Sequence, residues 1–352
     1  MIKNKIYLSD LDKITQIGIP YKLLINKKIM ITGAVGLIGS YLIDLLMYYN
    51  QKYNTNIKII AISRSEERIK TRFSDYINNQ NFSYFIQDIS EPINYNLSVD
   101  YIIHLASNAD PATFKDDPVG TIKGNVFGLY NLLEYARLNQ ISRLLYVSTG
   151  EVYGQASSDI KEFNEEYSGY VNPNVTRSCY PNSKRCSETL CVSYTDEYHV
   201  STVIARPSHI YGPTMNKRDS RVYAEFIRNV LANEDIVLKS LGKPIRSYTY
   251  VADCVSALLY ILLLGKDKEA YNIANKNSIV SIRELAEKIA KIGKRKVIFD
   301  IPEDSNANNN PMQCGVLNSN KLECLGWHGI YDIDEGLNTT INILKEVNDE
   351  KR

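Results

Sequence analysis

Hydrophobic residues in the first two thirds of the chain come in short, nearly unbroken runs separated by longer mixed stretches. KKIMITGA (27–34), IKIIAIS (57–63), FSYFIQDI (82–89), YIIHLAS (101–107), RLLYVST (143–149) and VSTVIARP (200–207) are such runs. A strand with one wet face alternates apolar and polar side chains, whereas a strand of a parallel sheet covered on both faces does not. The six runs therefore predict buried parallel strands. Helices are predicted between them over GLIGSYLIDLLMYY, over a segment around 117–138 that contains NVFGLYNLLEYARL, and over CYPNSKRCSETL (179–190). This βαβαβ alternation predicts an α/β fold, a doubly wound parallel sheet of the Rossmann type.

After Pro207 the rhythm changes. A Gly-Pro pair (212 and 213), charged helical segments, short strands such as IVLKS and AYNIAN, and the asparagine-rich stretch DSNANNN (304–310) predict a smaller C-terminal lobe. The expected division is an N-terminal extension (1–26), a dinucleotide-binding domain (27–207), and a mainly substrate-binding lobe (208–352) with some segments returning to the sheet. Ser281 and Glu284 form a capping box that starts the helix IRELAEKIAKIG. The longest apolar run, VSALLYILLLG (255–265), is too short to span a bilayer and predicts a buried core helix. The first 26 residues carry no pattern that assigns them a role.

Composition narrows the function classes. With 41 basic and 40 acidic residues among 352, the formal charge of +1 offers no chain-wide attraction for nucleic acid or an anionic membrane. An anionic ligand must be held locally. Cys179, Cys186, Cys191, Cys254, Cys314 and Cys324 form no CxxC pair and have no histidine at metal-ligand spacing. They read as reduced thiols of a cytoplasmic protein, with no metal site. No apolar stretch follows the N-terminal lysines, so no secretory signal is expected.

ITGAVGLIGS supplies the first candidate chemistry. Gly33, Gly36 and Gly39 follow the first strand and open the first helix, the spacing that lets a pyrophosphate approach a helix N-terminus. NAD sites usually close the second strand with Asp or Glu to bind the ribose 2′-hydroxyl, but this chain has Ser63 and Arg64 there. A guanidinium suits a 2′-phosphate, so NADP is favoured over NAD; the alternative is that Glu66 or Glu67 serves NAD. Asp88, closing the third strand, is placed to accept from the adenine amino group. Further on, Tyr180 and Lys184 lie four apart and share one helix face. A neighbouring cation and an oxidised nicotinamide both favour the phenolate, making Tyr180 a base for a carbinol proton. Thr149 ends the fifth strand, where ligands bind in such sheets, and offers a hydroxyl to the reacting oxygen. Glu151 points the same way as Thr149 if the backbone stays extended, and can move a proton next to a new ketone; the plain alternative is a cap.

Together YxxxK, TGxxGxxG and the strand-end threonine resemble the extended short-chain dehydrogenase/reductase family, in its nucleotide-sugar branch. The resemblance runs from about residue 27 to 345. STGEVYG, GYVNPNVTRSCYPNSKR, ARPSHIYGPTM, DSRVYAEF and KPIRSYTYVADCVSALL are similar in order and spacing to UDP-glucuronate decarboxylases, and more distantly to sugar-nucleotide 4,6-dehydratases and 4-epimerases. This implies transient oxidation of a sugar carbon by NAD(P)+, chemistry made easy by the ketone, and return of the hydride, in the synthesis of surface polysaccharide precursors. It also implies that Thr149, Tyr180 and Lys184 form the catalytic triad and that Glu151 is the acid/base glutamate. Arg221 and Arg246 match positions that hold the nucleotide diphosphate, and Lys123 matches a substrate lysine of the decarboxylases. His209 stands where the family's RxxNxYGP segment has Asn, near cofactor and sugar. Gly150 stands where glucose-type dehydratases carry Asp and decarboxylases Ser, which disfavours a glucose-type dehydratase. A homodimer through two helices beside the sheet is the family expectation. The alternative activity is net NADPH-dependent reduction of a nucleotide-linked keto sugar or ketose, which suits Arg64 and Gly150. A remote alternative is a non-catalytic protein that keeps the fold to bind a cofactor, against which Thr149, Tyr180 and Lys184 together argue.

Overall fold

The computed structural model describes residues 1–93, 95, 97–157, 160–216, 219–301 and 314–349. The asparagine-rich stretch 304–310 lies outside them. Along the chain run α1 (Lys5–Thr15), β1 (Lys28–Thr32), α2 (Leu37–Tyr53), β2 (Lys58–Ser63), α3 (Glu66–Arg72), β3 (Phe82–Ile86), β4 (Tyr101–His104), α4 (Pro111–Asp116), α5 (Pro118–Asn139), β5 (Arg143–Val147), α6 (Cys179–Tyr198) and β6 (Thr202–Pro207). Then follow β7 (His209–Tyr211), α7 (Val222–Leu231), β8 (Ile236–Leu238), β9 (Ile245–Tyr250), α8 (Val251–Leu264), β10 (Ala270–Ile273), β11 (Ile279–Ser281), α9 (Ile282–Gly293), β12 (Val297–Phe299), β13 (Cys314–Gly315), α10 (Asn320–Glu323) and α11 (Ile333–Asp349).

All six predicted strands form and join one parallel sheet in the order β10-β6-β5-β4-β1-β2-β3. The seventh, β10, is the AYNIAN segment, so it pairs with β6 in the main sheet and not within the C-terminal lobe. The order reverses between β1 and β4, and such a reversal opens a crevice at the carboxyl ends of the strands. One face of the sheet is covered by α2 and α8, the other by α5 and α6. Because both faces are buried, β1, β2, β5 and β6 show almost no exposed position, which is why their sequences do not alternate. Helix α8 is the apolar run singled out above, buried from Val251 to Leu262. The capping box at Ser281 and Glu284 opens α9. Beside the main sheet, β9 pairs with β7, β11 and β13, and β8 pairs with β12.

The first 26 residues have a structural role. Helix α1 packs on α2, α8 and α11, and its buried Asp10 carboxylate accepts hydrogen bonds from Tyr41 (2.8 Å), Tyr250 (2.7 Å) and Tyr331. Those tyrosines come from α2, the end of β9 and the segment before α11, so one carboxylate ties four parts of the chain together.

Candidate functional site

The crevice is lined by the residues that follow β1, β4, β5 and β6. Its two stretches share Gly33, Gly36, Leu105 and Ser107. At Gly33 the backbone is left-handed (φ +66°), and a Cβ there would lie 2.7 Å from the Ala106 nitrogen. The turn is pressed against the end of β4, where Thr32 Oγ1 meets His104 Nδ1 (2.7 Å) and accepts from the Ala106 N–H (3.2 Å). A Cβ at Gly39 would lie 2.4 Å from the Gly33 carbonyl oxygen, so α2 can start this close to the turn only with glycine there. Gly36 is the N-cap of α2 and supplies no side-chain cap. The first amides of a 17-residue helix are thus available to an anion. The glycine cradle and the uncapped helix fit the pyrophosphate of a dinucleotide.

Beyond the cradle lie Ser63, Arg64, Arg68, Asp88 and Lys123. Asp88 accepts from the Ser90 N–H (2.9 Å) and hydroxyl (2.8 Å). Burial opposes its ionisation, but these bonds and the charges of Arg64 and Lys123 hold its carboxyl below the usual range. Glu66 pairs with Lys70 (2.7 Å), while Ser63 and Arg64 line the crevice at the end of β2. Lys123, expected to contact substrate, lines the same stretch as Arg64 and Asp88.

The other stretch, about 390 Å³, gathers Thr149, Glu151, Tyr180, Lys184, His209 and Arg221. Tyr180 opens α6 and is buried, its ring stacked on Phe114 (4.5 Å between centroids, 19° between planes) and its phenol hydrogen-bonded to Thr149. Lys184, one turn on, is buried with Nζ 5.9 Å from the Tyr180 ring centroid and donates to the Val147 carbonyl (2.9 Å). The expected phenolate draws on both Lys184 and an oxidised nicotinamide, and the chain by itself supplies only the first. Burial, then the Glu151 charge, pushes the phenol up against the pull of Thr149, Arg221 and Arg177. Burial also pushes the Lys184 ammonium down to about 7, against the raising charges of Glu188 and Cys191.

Glu151 reaches the crevice by a different path from the one expected. Thr149 is extended (φ −161°, ψ 154°), but Gly150–Tyr153 then close a 3-10 turn, and the Thr149 hydroxyl caps it by accepting from the Glu151 N–H (3.2 Å). Arg177 grips the Glu151 carboxylate through both oxygens (2.9 and 2.8 Å). Gly150 lies beneath Leu317, whose Cδ1 would be 3.2 Å from an added Cβ.

His209 lines the crevice with its surface still open to solvent, and the protein walls around it, with the Arg246 and Arg221 charges, push the imidazole below its ordinary value. Arg221 is clasped by Asp219 (2.9 and 2.5 Å) at the start of α7. Arg246 is buried in β9, donates to the Ile245 carbonyl (2.8 Å), and lies near enough for its charge to act on His209. Sequence reasoning missed Phe114, Arg177, Asp219 and Leu317. Only Arg177, three residues before Tyr180, carried a local signal.

Comparison with known proteins adds the following. A model of the NAD dependent epimerase/dehydratase family matches residues 29–274. UDP-glucuronic acid decarboxylase 3 of Arabidopsis thaliana is 36% identical over 89% of this chain and 87% of its own length. UDP-glucuronic acid decarboxylase 1 of Xenopus tropicalis is 32% identical over 91% of this chain and 73% of its own length. Among solved structures, the UDP-glucuronic acid 4-epimerase of Bacillus cereus in complex with UDP-glucuronic acid and NAD superposes with a TM-score of 0.75 at 22% identity, covering 91% of this chain and 99% of that one. The UDP-glucose 4-epimerase of Thermotoga maritima with UDP-glucose gives 0.77 at 22%, covering 91% and 99%. These two likenesses show the fold.

Proposed function

Because the chain belongs to the NAD dependent epimerase/dehydratase family, we propose that it decarboxylates a nucleotide-linked uronic acid, with UDP-glucuronic acid the first candidate. One observation carries the class of chemistry: Thr149, Glu151, Tyr180 and Lys184 line one end of a crevice whose other end is a dinucleotide cradle. The decarboxylase relatives, similar along nearly nine tenths of the chain, support the choice within that class. A bound dinucleotide supplies a hydride acceptor that later returns the hydride and, when oxidised, a positive charge that favours the Tyr180 phenolate. Tyr180 takes the proton of the sugar hydroxyl, and Thr149 hydrogen-bonds the same oxygen. The new ketone lies β to the sugar carboxylate, so the C–C bond electrons released with CO2 pass to that oxygen, where Tyr180 and Thr149 donate. A proton from water, guided by Glu151, then replaces CO2 on the carbon that carried the carboxylate, and the enolate returns to the ketone. Tyr180 then restores the hydroxyl proton.

The test is incubation of the purified protein with UDP-glucuronic acid, following CO2 and the nucleotide product by mass spectrometry. Conversion to a nucleotide-linked pentose is expected; a uronate returned unchanged sinks the reading. Denaturing the same preparation identifies the dinucleotide it carries. Ser63, Arg64 and Arg68 at the adenosine end support NADP. They also favour the second reading, net reduction, whose signature is NADPH consumed in proportion to a keto-sugar nucleotide. For assembly we propose a homodimer through α5 and α6. Five apolar side chains left exposed on α5, Val119, Ile122, Phe127, Tyr130 and Leu138, support it, since none of them faces the core.

A further inference from the structure

Arg177 touches the sugar-end residues without lining the crevice. It sits in the turn Thr176–Ser178 that leads into α6, so the same local geometry fixes it and Tyr180. One guanidinium nitrogen, Nη2, reaches both Glu151 oxygens, at 2.9 and 2.8 Å. The guanidinium also lies over the Phe114 ring (4.7 Å), and that ring stacks on Tyr180. Glu151, Arg177, Phe114 and Tyr180 therefore form a chain of contacts along one edge of the crevice.

The arrangement matters because Glu151 is a long side chain, 36% exposed, on a one-turn element. Left alone it would sample several rotamers, and a misplaced carboxylate loses its usefulness steeply with distance. It is also an anion beside a phenol that must lose a proton. We propose that Arg177 is a positioning residue of this site: it aims the Glu151 carboxylate at the reacting carbon and cancels its charge where Tyr180 would otherwise feel it. This rests on the roles proposed above for Tyr180 and Glu151.

The charges facing Tyr180 set the direction of the effect. Glu151 pushes the phenol up, while Arg177 and the Asp219-paired Arg221 pull it down; Lys184 on the same helix and the neighbouring Cys179 thiol complete the set. Removing Arg177 leaves Glu151 unopposed, so Tyr180 deprotonates at higher pH. A lysine at this position keeps the charge but not the flat, two-sided contact with Glu151 and Phe114.

The experiment compares wild type, Arg177→Gln, Arg177→Lys, Glu151→Gln and Tyr180→Phe, with UDP-glucuronic acid as the probe substrate. Arg177→Gln is expected to lower kcat about 10- to 100-fold, in the range that small misplacements of reacting groups cost, with KM little changed. The acidic limb of kcat/KM should move to higher pH. Arg177→Lys should restore the limb but only part of kcat, and Arg177→Gln should add little to Glu151→Gln, since the two act as one unit. A surface ion pair with no part in the reaction would change thermal stability alone, and that result overturns the proposal.

A second readout needs no turnover. The Cys179 thiol is raised by burial, lowered by Arg177 and raised by Glu151. The pH midpoint of its alkylation by iodoacetamide, resolved by peptide mass spectrometry, should rise in Arg177→Gln and fall in Glu151→Gln; unmoved midpoints refute the charge cancellation. If wild type leaves UDP-glucuronic acid untouched, the proposed reaction fails while this titration still decides Arg177. If Tyr180→Phe turns over like wild type, the role of Tyr180 fails instead.

Discussion

Gly33 shows how strictly single positions are constrained here. Its left-handed backbone and the 2.7 Å approach of Ala106 leave no room for a methyl group. Gly33→Ala should destabilise the protein by about 1–3 kcal/mol, the usual cost of a non-glycine residue held in a sparsely populated conformation, and abolish dinucleotide binding. Thermal unfolding and fluorescence titration with NADPH would measure both; unimpaired binding would contradict the cradle. Tyr180 and Lys184 were legible as a pair because helical spacing alone brings them together. Their ionisation was not, because burial opposes the charge of both, and burial is a property of the folded chain. The path of Glu151 was also hidden: one 3-10 turn at Gly150–Tyr153 replaced an extended backbone.

Among the elements, β4 carries a consequence for pH. His104 ends it inside the sheet, hydrogen-bonded to Thr32, with burial and the Lys184 charge pushing its imidazole down to about 3. Its folded pKa therefore lies below the ordinary value near 6.5. The unfolded chain takes up the proton first, so the contribution to stability is complete above about pH 6.5 and drains away as pH falls toward 3. Between pH 7 and 4 this amounts to about 3 kcal/mol, and His104→Gln should flatten the acid-side fall by that order. Urea unfolding of both proteins at several pH values would reveal it; parallel curves would refute it. The strands themselves were readable because a doubly covered sheet imposes unbroken apolar runs. Which C-terminal segment returns to the sheet was not legible, because a four-residue strand such as β10 can pair with any open edge, and only the fold leaves the edge of β6 open.

At the scale of the whole molecule, Asp10 joins the N-terminal helix to three distant tyrosines. Asp10→Ala would strand three buried hydroxyls without an acceptor. It should cost about 3 kcal/mol or more, given about 1–3 for each unsatisfied group, with Asp10→Asn milder because its amide oxygen still accepts. Calorimetry of both variants is the check, and an unchanged Tm for Asp10→Ala would refute the role given to residues 1–26. The exposed apolar side chains on α5 make the other large-scale prediction. Phe127→Asp combined with Leu138→Asp should convert the proposed dimer to a monomer in sedimentation while leaving dinucleotide binding intact; a wild-type monomer, or a dimer that survives both changes, refutes this interface.

The sequence by itself determined the parallel sheet, the glycine turn and the Tyr180–Lys184 face, because each rests on short-range spacing or on hydrophobic runs that a covered sheet requires. Tertiary structure alone decided that Arg177 grips Glu151, that Phe114 stacks on Tyr180 and that Lys123 joins Arg64 and Asp88 along one stretch of the crevice. Those outcomes depend on contacts between residues far apart in the chain and on how deeply each charge is withdrawn from water, and neither distance nor depth is written in local order.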